Sequence, residues 1–326
     1  MPGSRRERLA LLIGLAAFLI LPPVVKAVGQ PFLVGVGSRI LIYGIAAASL
    51  DLLLGFGGMV SFGHAAFVGL GGYTVGILAA QLQAGEPLFG FIPGTDQLLF
   101  AVPAAVAVAS LAAFLFGTVA LRTRGVQFIM ITLALAQMVF FVFVSLKAYG
   151  GDDGLILPHR DLLPGIDLRD NTAFYYFALL ALAAFLALYR RIIGSRFGLV
   201  LQGIRENERR MAALGHAPYG YKLAAFVIGG AGAGLAGALL ANLDKFVSPD
   251  MLHWTKSGDL LIMIVIGGTG TLYGAVLGAA VLIGFQTALS PFTDHWMVVL
   301  GPLLVLIALW TERGLFGILT RSGRAR

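Results

Sequence analysis

The sequence predicts an all-α, polytopic integral membrane protein, and three observations carry that prediction. Of its 326 residues, 58% are hydrophobic and only 12% are charged. Soluble domains carry roughly 25% charged residues, so this chain has too few to cover a water-facing surface of its size. The apolar residues come in runs of about twenty, the length a helix needs to cross the hydrocarbon of a bilayer. The net charge is +7, yet the Lys and Arg fall between these runs and form no patch interleaved with exposed aromatics. That pattern excludes nucleic acid as a partner and fits the positive-inside rule. Cysteine is absent, which removes disulfides and cysteine metal sites.

The runs predict spans at about 9–28, 37–55, 59–81, 98–121, 126–147, 172–190 and 222–242, two short apolar stretches at 258–267 and 275–290, and a last span at 296–311. The total is about ten. The first, led by Arg5, Arg6 and Arg8, reads as a retained span; the alternative is a signal peptide, with Val25-Lys26-Ala27 passing as its cleavage site. The short stretches flank Gly267-Gly268-Thr269-Gly270, and interrupted segments are tolerated only where broken backbone lies inside protein or lines a cavity.

Orientation follows from counting. With the N-terminus in the cytoplasm and sides alternating, sixteen of the 23 Lys and Arg fall inside, at 5–8, 122–124, 190–222 and 313–326. Eleven of the 16 acids fall outside, and Asp51 is the one acid placed within a span. Both termini are then cytoplasmic.

Three stretches carry candidate chemistry. The longest inside segment contains Gly203-Ile204-Arg205-Glu206-Asn207-Glu208-Arg209-Arg210-Met211-Ala212-Ala213-Leu214-Gly215. Ile204, Met211 and Leu214 recur at helical spacing, Ala212 and Ala213 make a slim face, and Gly215 suits a helix stop. It is either a helix that inserts into a groove on another protein or an ordinary solvated helix. Residues 51–67 place Gly55, Gly57 and Gly58 where one span must break and the next begin. Ser61 and His64, three apart, are expected on one helix face, either lining a path or bonding across helices. Asp51 is a default functional residue by its depth, although it stands near the end of its span. Gly150-Gly151-Asp152-Asp153-Gly154 is expected on the outer side, as part of a mouth or as a solvated turn; its spacing does not fit an EF-hand.

Two further patterns are structural or negative. Ala225, Gly229, Ala233, Gly237 and Ala241 form a stripe of small residues four apart, suited to close helix packing. The run Gly267 to Gly274 looks like a phosphate-cradling loop but lacks the following Lys, and no Gly-x-x-x-x-Gly-Lys-Ser/Thr sequence occurs in the chain. Segments 57–69 and 267–278 are faintly alike, which hints at two related halves.

These stretches, in this order, resemble the LivM-type permeases of branched-chain amino acid ABC importers, over about residues 40 to 315. Residues 203–215 are similar to the coupling-helix signature of those permeases, with Gly203 where the family form has Ala and Arg209-Arg210 where it has small residues. Residues 51–67 are similar to the family's Leu-Gly-x-x-Gly-x-x-Ser-x-Gly-His-Ala-x-Phe signature, and 150–155, 248–254 and 267–274 also match its pattern.

The resemblance implies one permease domain over 1–326, with a coupling helix at about 200–217. Arg205, Glu206, Glu208, Ala212, Ala213 and Gly215 would then dock on an ATPase. Asp51, Ser61, His64, Gly267 and Gly268 would line the path, and Asp152 and Asp153 the periplasmic mouth. It further implies a heteromeric importer in the bacterial inner membrane: a second, LivH-type permease, two ABC ATPase subunits that hold the ATP and Mg, and a periplasmic substrate-binding protein. This chain itself would bind no cofactor or metal and would not be an enzyme. Urea, other amides or aromatic acids are alternative cargoes within the same architecture. A stand-alone secondary transporter or channel is the rival class, opposed by the lack of paired intramembrane acids. A membrane enzyme built on His64, Asp51 and Ser61 is opposed by their placement in different spans.

Overall fold

The computed structural model describes residues 5–27, 29–85, 94–290, 301–302 and 314–320. Its helices are α1 (Arg5–Ala27), α2 (Phe32–Asp51), α3 (His64–Ala84), α4 (Leu98–Ala120), α5 (Val126–Ser145), α6 (Asn171–Ile193), α7 (Arg196–Glu206), α8 (Glu208–Ala213), α9 (Pro218–Asp244), α10 (Trp254–Gly267), α11 (Gly274–Leu289) and α12 (Gly314–Thr320). A π-helical turn, Leu52–Phe56, extends α2. Among the described residues six helices are long and apolar enough to cross a membrane: Phe32–Phe56, α3, α4, α5, α6 and α9. The predicted span at 296–311 lies outside the described residues except for 301–302, which are helical. The chain is an all-α, multi-pass membrane protein.

The bundle is organised on α9. Its small-residue stripe is buried throughout, at Ala225, Gly229, Ala233, Gly237 and Ala241. A Cβ on Gly237 would run into the backbone carbonyl of Val68 in α3. On Gly234 it would strike the Ala109 side chain of α4, and on Gly229 it would lie 3.1 Å from the Ser49 carbonyl of α2. Three helices therefore approach α9 more closely than any larger side chain permits, gaining dispersion contacts where lipid offers no hydrophobic drive. The opposite surfaces are apolar and open. Val126, Met130, Met138 and Phe141 of α5, and Leu99, Leu111 and Leu115 of α4, are exposed.

The ends of the bundle differ in character. At one end the loop 146–170 folds over the helices. Its strand β1 (Leu155–Ile156) pairs antiparallel with β2 (Phe246–Val247), with Leu155 opposite Val247. Asn242 of α9 ties this loop down. Its side chain accepts the Asp161 N–H at 2.7 Å and donates to the Asp161 carboxylate at 3.0 Å. Arg160, almost fully buried, donates to the Asn242 and Leu168 carbonyls and to Asn171 Oδ1, and lies 4.6 Å above the Phe174 ring. Asp152 and Asp153 sit in a 3-10 turn on this loop, both exposed. At the other end lie α7, α8, the 121–125 turn and α12, which meets Gly267 and Gly268 through Gly314.

The structure corrects two sequence expectations. The helix of the second long span begins at His64 and not near 59, because residues 57–63 run as non-helical backbone with Gly58 at φ +67°. Ser61 and His64 therefore do not share a helix face. Residues 203–215 do not form one helix. Asn207 takes an extended conformation (φ −156°, ψ 97°) and divides α7 from α8. The second chain break between long helices is also explicit. After α9 the chain turns back along α3 through β2, a 3-10 turn (Pro249–Leu252) and the start of α10: Leu252 sits against Gly69, and Ser257 of α10 accepts the Ala65 N–H at 2.9 Å.

Candidate coupling and gating site

The cytoplasm-type end, rich in basic residues, holds a compact constellation. Leu201 and Ile204 are buried and seat α7 on the bundle, whose N-terminus is capped by Ser195. Asn207 then acts as the N-cap of α8, accepting the Arg210 N–H at 2.9 Å, so the residue that breaks one helix starts the next. Met211 folds α8 back onto α7: a Cβ on Gly203 would lie 2.8 Å from its sulfur. The close atoms all belong to the flexible Met211 side chain, which could move to admit an Ala at 203. Gly215 closes α8 with φ +87°, and the His216 N–H reaches the Met211 carbonyl, the pairing expected of a glycine helix stop.

Glu208 faces inward. Its carboxylate accepts Lys222 Nζ at 2.8 Å and Arg124 Nη2 at 3.4 Å, joining α8 to α9 and to the turn before α5. Arg205 also faces the bundle: it donates to the Gly55 carbonyl, and its stem covers Gly58. Glu206, Ala212, Ala213 and Gly215 are exposed, and Leu214 is 68% exposed. The six sequence-predicted docking residues thus divide. Glu208 is partly buried and ties α8 to its neighbours, whereas Arg205 reaches the Gly55 carbonyl and is nonetheless exposed, as are the other four. A cavity of about 300 Å³ opens between Gly57, Gly58, Arg124, Arg205, Glu208 and Lys222.

The predicted path residues divide as well. Asp51 is 1% exposed; its Oδ1 accepts the Gly270 N–H at 2.9 Å, and its Oδ2 is buried without a hydrogen-bond partner. Gly270 needs its positive φ of 71°, and it packs directly on Gly55. The glycine break at the end of α2 and the loop between α10 and α11 therefore touch. Gly267 and Gly268 are buried against Gly274 and Gly314. Ser61 and His64 are both wholly enclosed by this chain. Ser61 Oγ accepts the Gly63 N–H at 3.2 Å. His64 Nε2 lies 2.8 Å from Ser49 Oγ, whose proton goes to the Ala46 carbonyl at 2.7 Å. Nε2 is therefore the donor, and His64 is the neutral tautomer with a bare Nδ1. Neither residue offers a surface to a passing solute in this conformation.

Sequence reasoning missed a polar line on the other side of α2. Arg39 of α2 pairs with Asp244 at the end of α9 at 2.5 Å. Lys256 and Asp259, three apart on α10, are both partly exposed. Their spacing was the available signal, since i and i+3 share a helix face.

A sequence profile described as the permease component of the branched-chain amino acid transport system matches residues 32–308. The chain belongs to this permease family. It is 28% identical over 320 residues to the high-affinity branched-chain amino acid transport system permease protein LivM of Escherichia coli, covering 89% of this chain and 72% of that one. A probable LivM permease of Methanocaldococcus jannaschii is 26% identical, covering 85% and 86% of the two chains. LivH of Escherichia coli is 25% identical, covering 84% and 91%. No solved structure matches. The profile spans α2 to α11, so both glycine breaks, the α7–α8 element and the loop 146–170 all lie within the shared region.

Proposed function

We propose that this chain is the membrane permease subunit of an ATP-driven importer for branched-chain or related amino acids, working as one permease domain in the bacterial inner membrane with both termini cytoplasmic. It pairs with a second, LivH-type permease. Two ATPase subunits, which hold the ATP and Mg, dock on α7–α8, and a periplasmic binding protein delivers the solute over the loop 146–170. The chain carries no catalytic residue of its own.

One observation carries this reading. α8 ends in an exposed turn of Ala212, Ala213, Leu214 and Gly215, fixed from behind by Glu208, Lys222 and Asn207. A rigid apolar turn among basic residues, at the end of the bundle where the positive charge gathers, suits a groove on a partner protein.

The test is reconstitution. Proteoliposomes holding this permease, its second permease and both ATPases should accumulate leucine when ATP and the binding protein are supplied. Uptake that proceeds without the ATPases, or that follows an ion gradient, would replace this reading with a secondary transporter. Cargo is decided by the binding protein, so its ligand preference separates branched-chain amino acids from urea, amides and aromatic acids.

A further inference from the structure

We propose that Arg205 is a two-position latch that carries movement of α7–α8 into both glycine breaks, and that it does not contact the ATPase. The inference rests on the reading of α7–α8 as the docking element. In the present conformation the guanidinium holds the Gly55 carbonyl, at the π-helical end of α2, where helix carbonyls lack intrahelical donors. Gly55 lies against the backbone of Gly270, and the Gly270 N–H is held by Asp51 Oδ1. Four groups from three separate stretches therefore touch in sequence: Arg205 of α7, Gly55 after α2, Gly270 between α10 and α11, and Asp51 of α2.

The second position is set by what is unsatisfied. Asp51 Oδ2 is buried and has no hydrogen bond, and among the described residues Asp51 has no ion pair. A buried carboxylate oxygen without a donor is costly. Arg205 is the cation beside this cluster: its Nη1 lies 3.8 Å from where a Cβ on Gly270 would stand, and Gly270 is the residue that Asp51 Oδ1 holds. Arg205 likewise has no carboxylate partner among the described residues. A shift of α7 toward the bundle moves the guanidinium from the Gly55 carbonyl to Asp51 Oδ2. That exchange releases the end of α2 and pulls on the carboxylate that anchors Gly270. Bistable elements of this kind convert a small displacement into one of two packings. Gly58 is part of the device, since a Cβ there would lie 2.9 Å from Arg205 Cγ and block the swing.

Arg205 is thus a positioning residue. The test uses the assembled importer in proteoliposomes, comparing R205A, R205K and D51N with the unaltered protein. The readouts are co-purification of the ATPases and leucine taken up per ATP hydrolysed. R205A should keep the ATPases bound while uptake per ATP falls at least tenfold. R205K, which reaches Gly55 with a single ammonium, should recover part of it. D51N leaves an oxygen to accept from Gly270 but cannot receive an ion pair, and it should lose uptake per ATP with α7 untouched. Loss of the ATPases in R205A would make Arg205 a docking contact and overturn the latch. Unchanged uptake per ATP in D51N would also overturn it, and this arm decides the matter even if R205A does not fold. Failure of the unaltered complex to show ATP-dependent uptake would instead overturn the importer reading.

Discussion

The clearest energetic consequence concerns Glu208. Two unit charges 2.8 Å apart, as Lys222 and Glu208 are, attract by about 6 kcal/mol at an effective dielectric of 20 and about 1.5 kcal/mol in bulk water. Their side chains are 17% and 25% exposed, so the pair stands between these limits and loses part of the gain to desolvation. A net coupling of about 1–2 kcal/mol is expected, well above the ~0.3–0.5 kcal/mol of an open surface pair. Arg124, 71% exposed and 3.4 Å away, should add little. A double-mutant cycle with E208Q, K222M and the double variant, measured as reversible unfolding in mixed micelles, reads this number directly. A coupling below about 0.3 kcal/mol would refute the inward role of Glu208. It would return that carboxylate to the set of groups free to contact another protein.

Two further outcomes follow from the packing and the loop. G237A forces α3 away from α9, because its methyl meets the Val68 carbonyl, and should destabilise by roughly 1–3 kcal/mol in the same assay. G220A, on the same helix with nothing near its Cβ, should be neutral or slightly stabilising; equal effects would refute the close-approach account. The Asp161 carboxyl is pushed up to about 6, chiefly by burial, with Asp96 and His159 facing it. Its folded value exceeds its ordinary 3.8, so its contribution to holding the loop is complete at low pH and fades as pH rises through about 6. Amides of residues 155–162 should be better protected at pH 5 than at pH 7 after correction for intrinsic exchange. D161N, which accepts the same bond from Asn242, should flatten that dependence; an unchanged slope would assign it to another group.

What the sequence made legible was depth and charge; what it hid was local conformation and distant pairing. Apolarity marks residues 57–63 as membrane-buried but cannot distinguish helix from extended backbone, so the start of α3 at His64 was invisible. The small-residue stripe of α9 was readable because one periodicity fixes one face. Asn207 carried a signal that helical spacing overrode: Asn is a strong N-cap, and here it starts a second helix inside a run whose hydrophobic period continues. The contact of Asp51 with Gly270 spans 219 positions and that of Arg205 with Gly55 spans 150, separations at which nothing in one sequence indicates contact. Asp51 and Arg205, assigned to path and docking respectively, lie in one chain of contacts, with Gly55 and Gly270 between them.

The central claim is that the exposed turn of α8 meets an ATPase. It is tested most directly by placing a photo-reactive side chain at Leu214 in the assembled complex and identifying what it captures. The account predicts a cross-link to an ATPase subunit, and none to one when the same group is placed at exposed Leu111 in the middle of α4. Capture of an ATPase from Leu111 but not from Leu214, or no capture from Leu214 in a complex that transports, would contradict it.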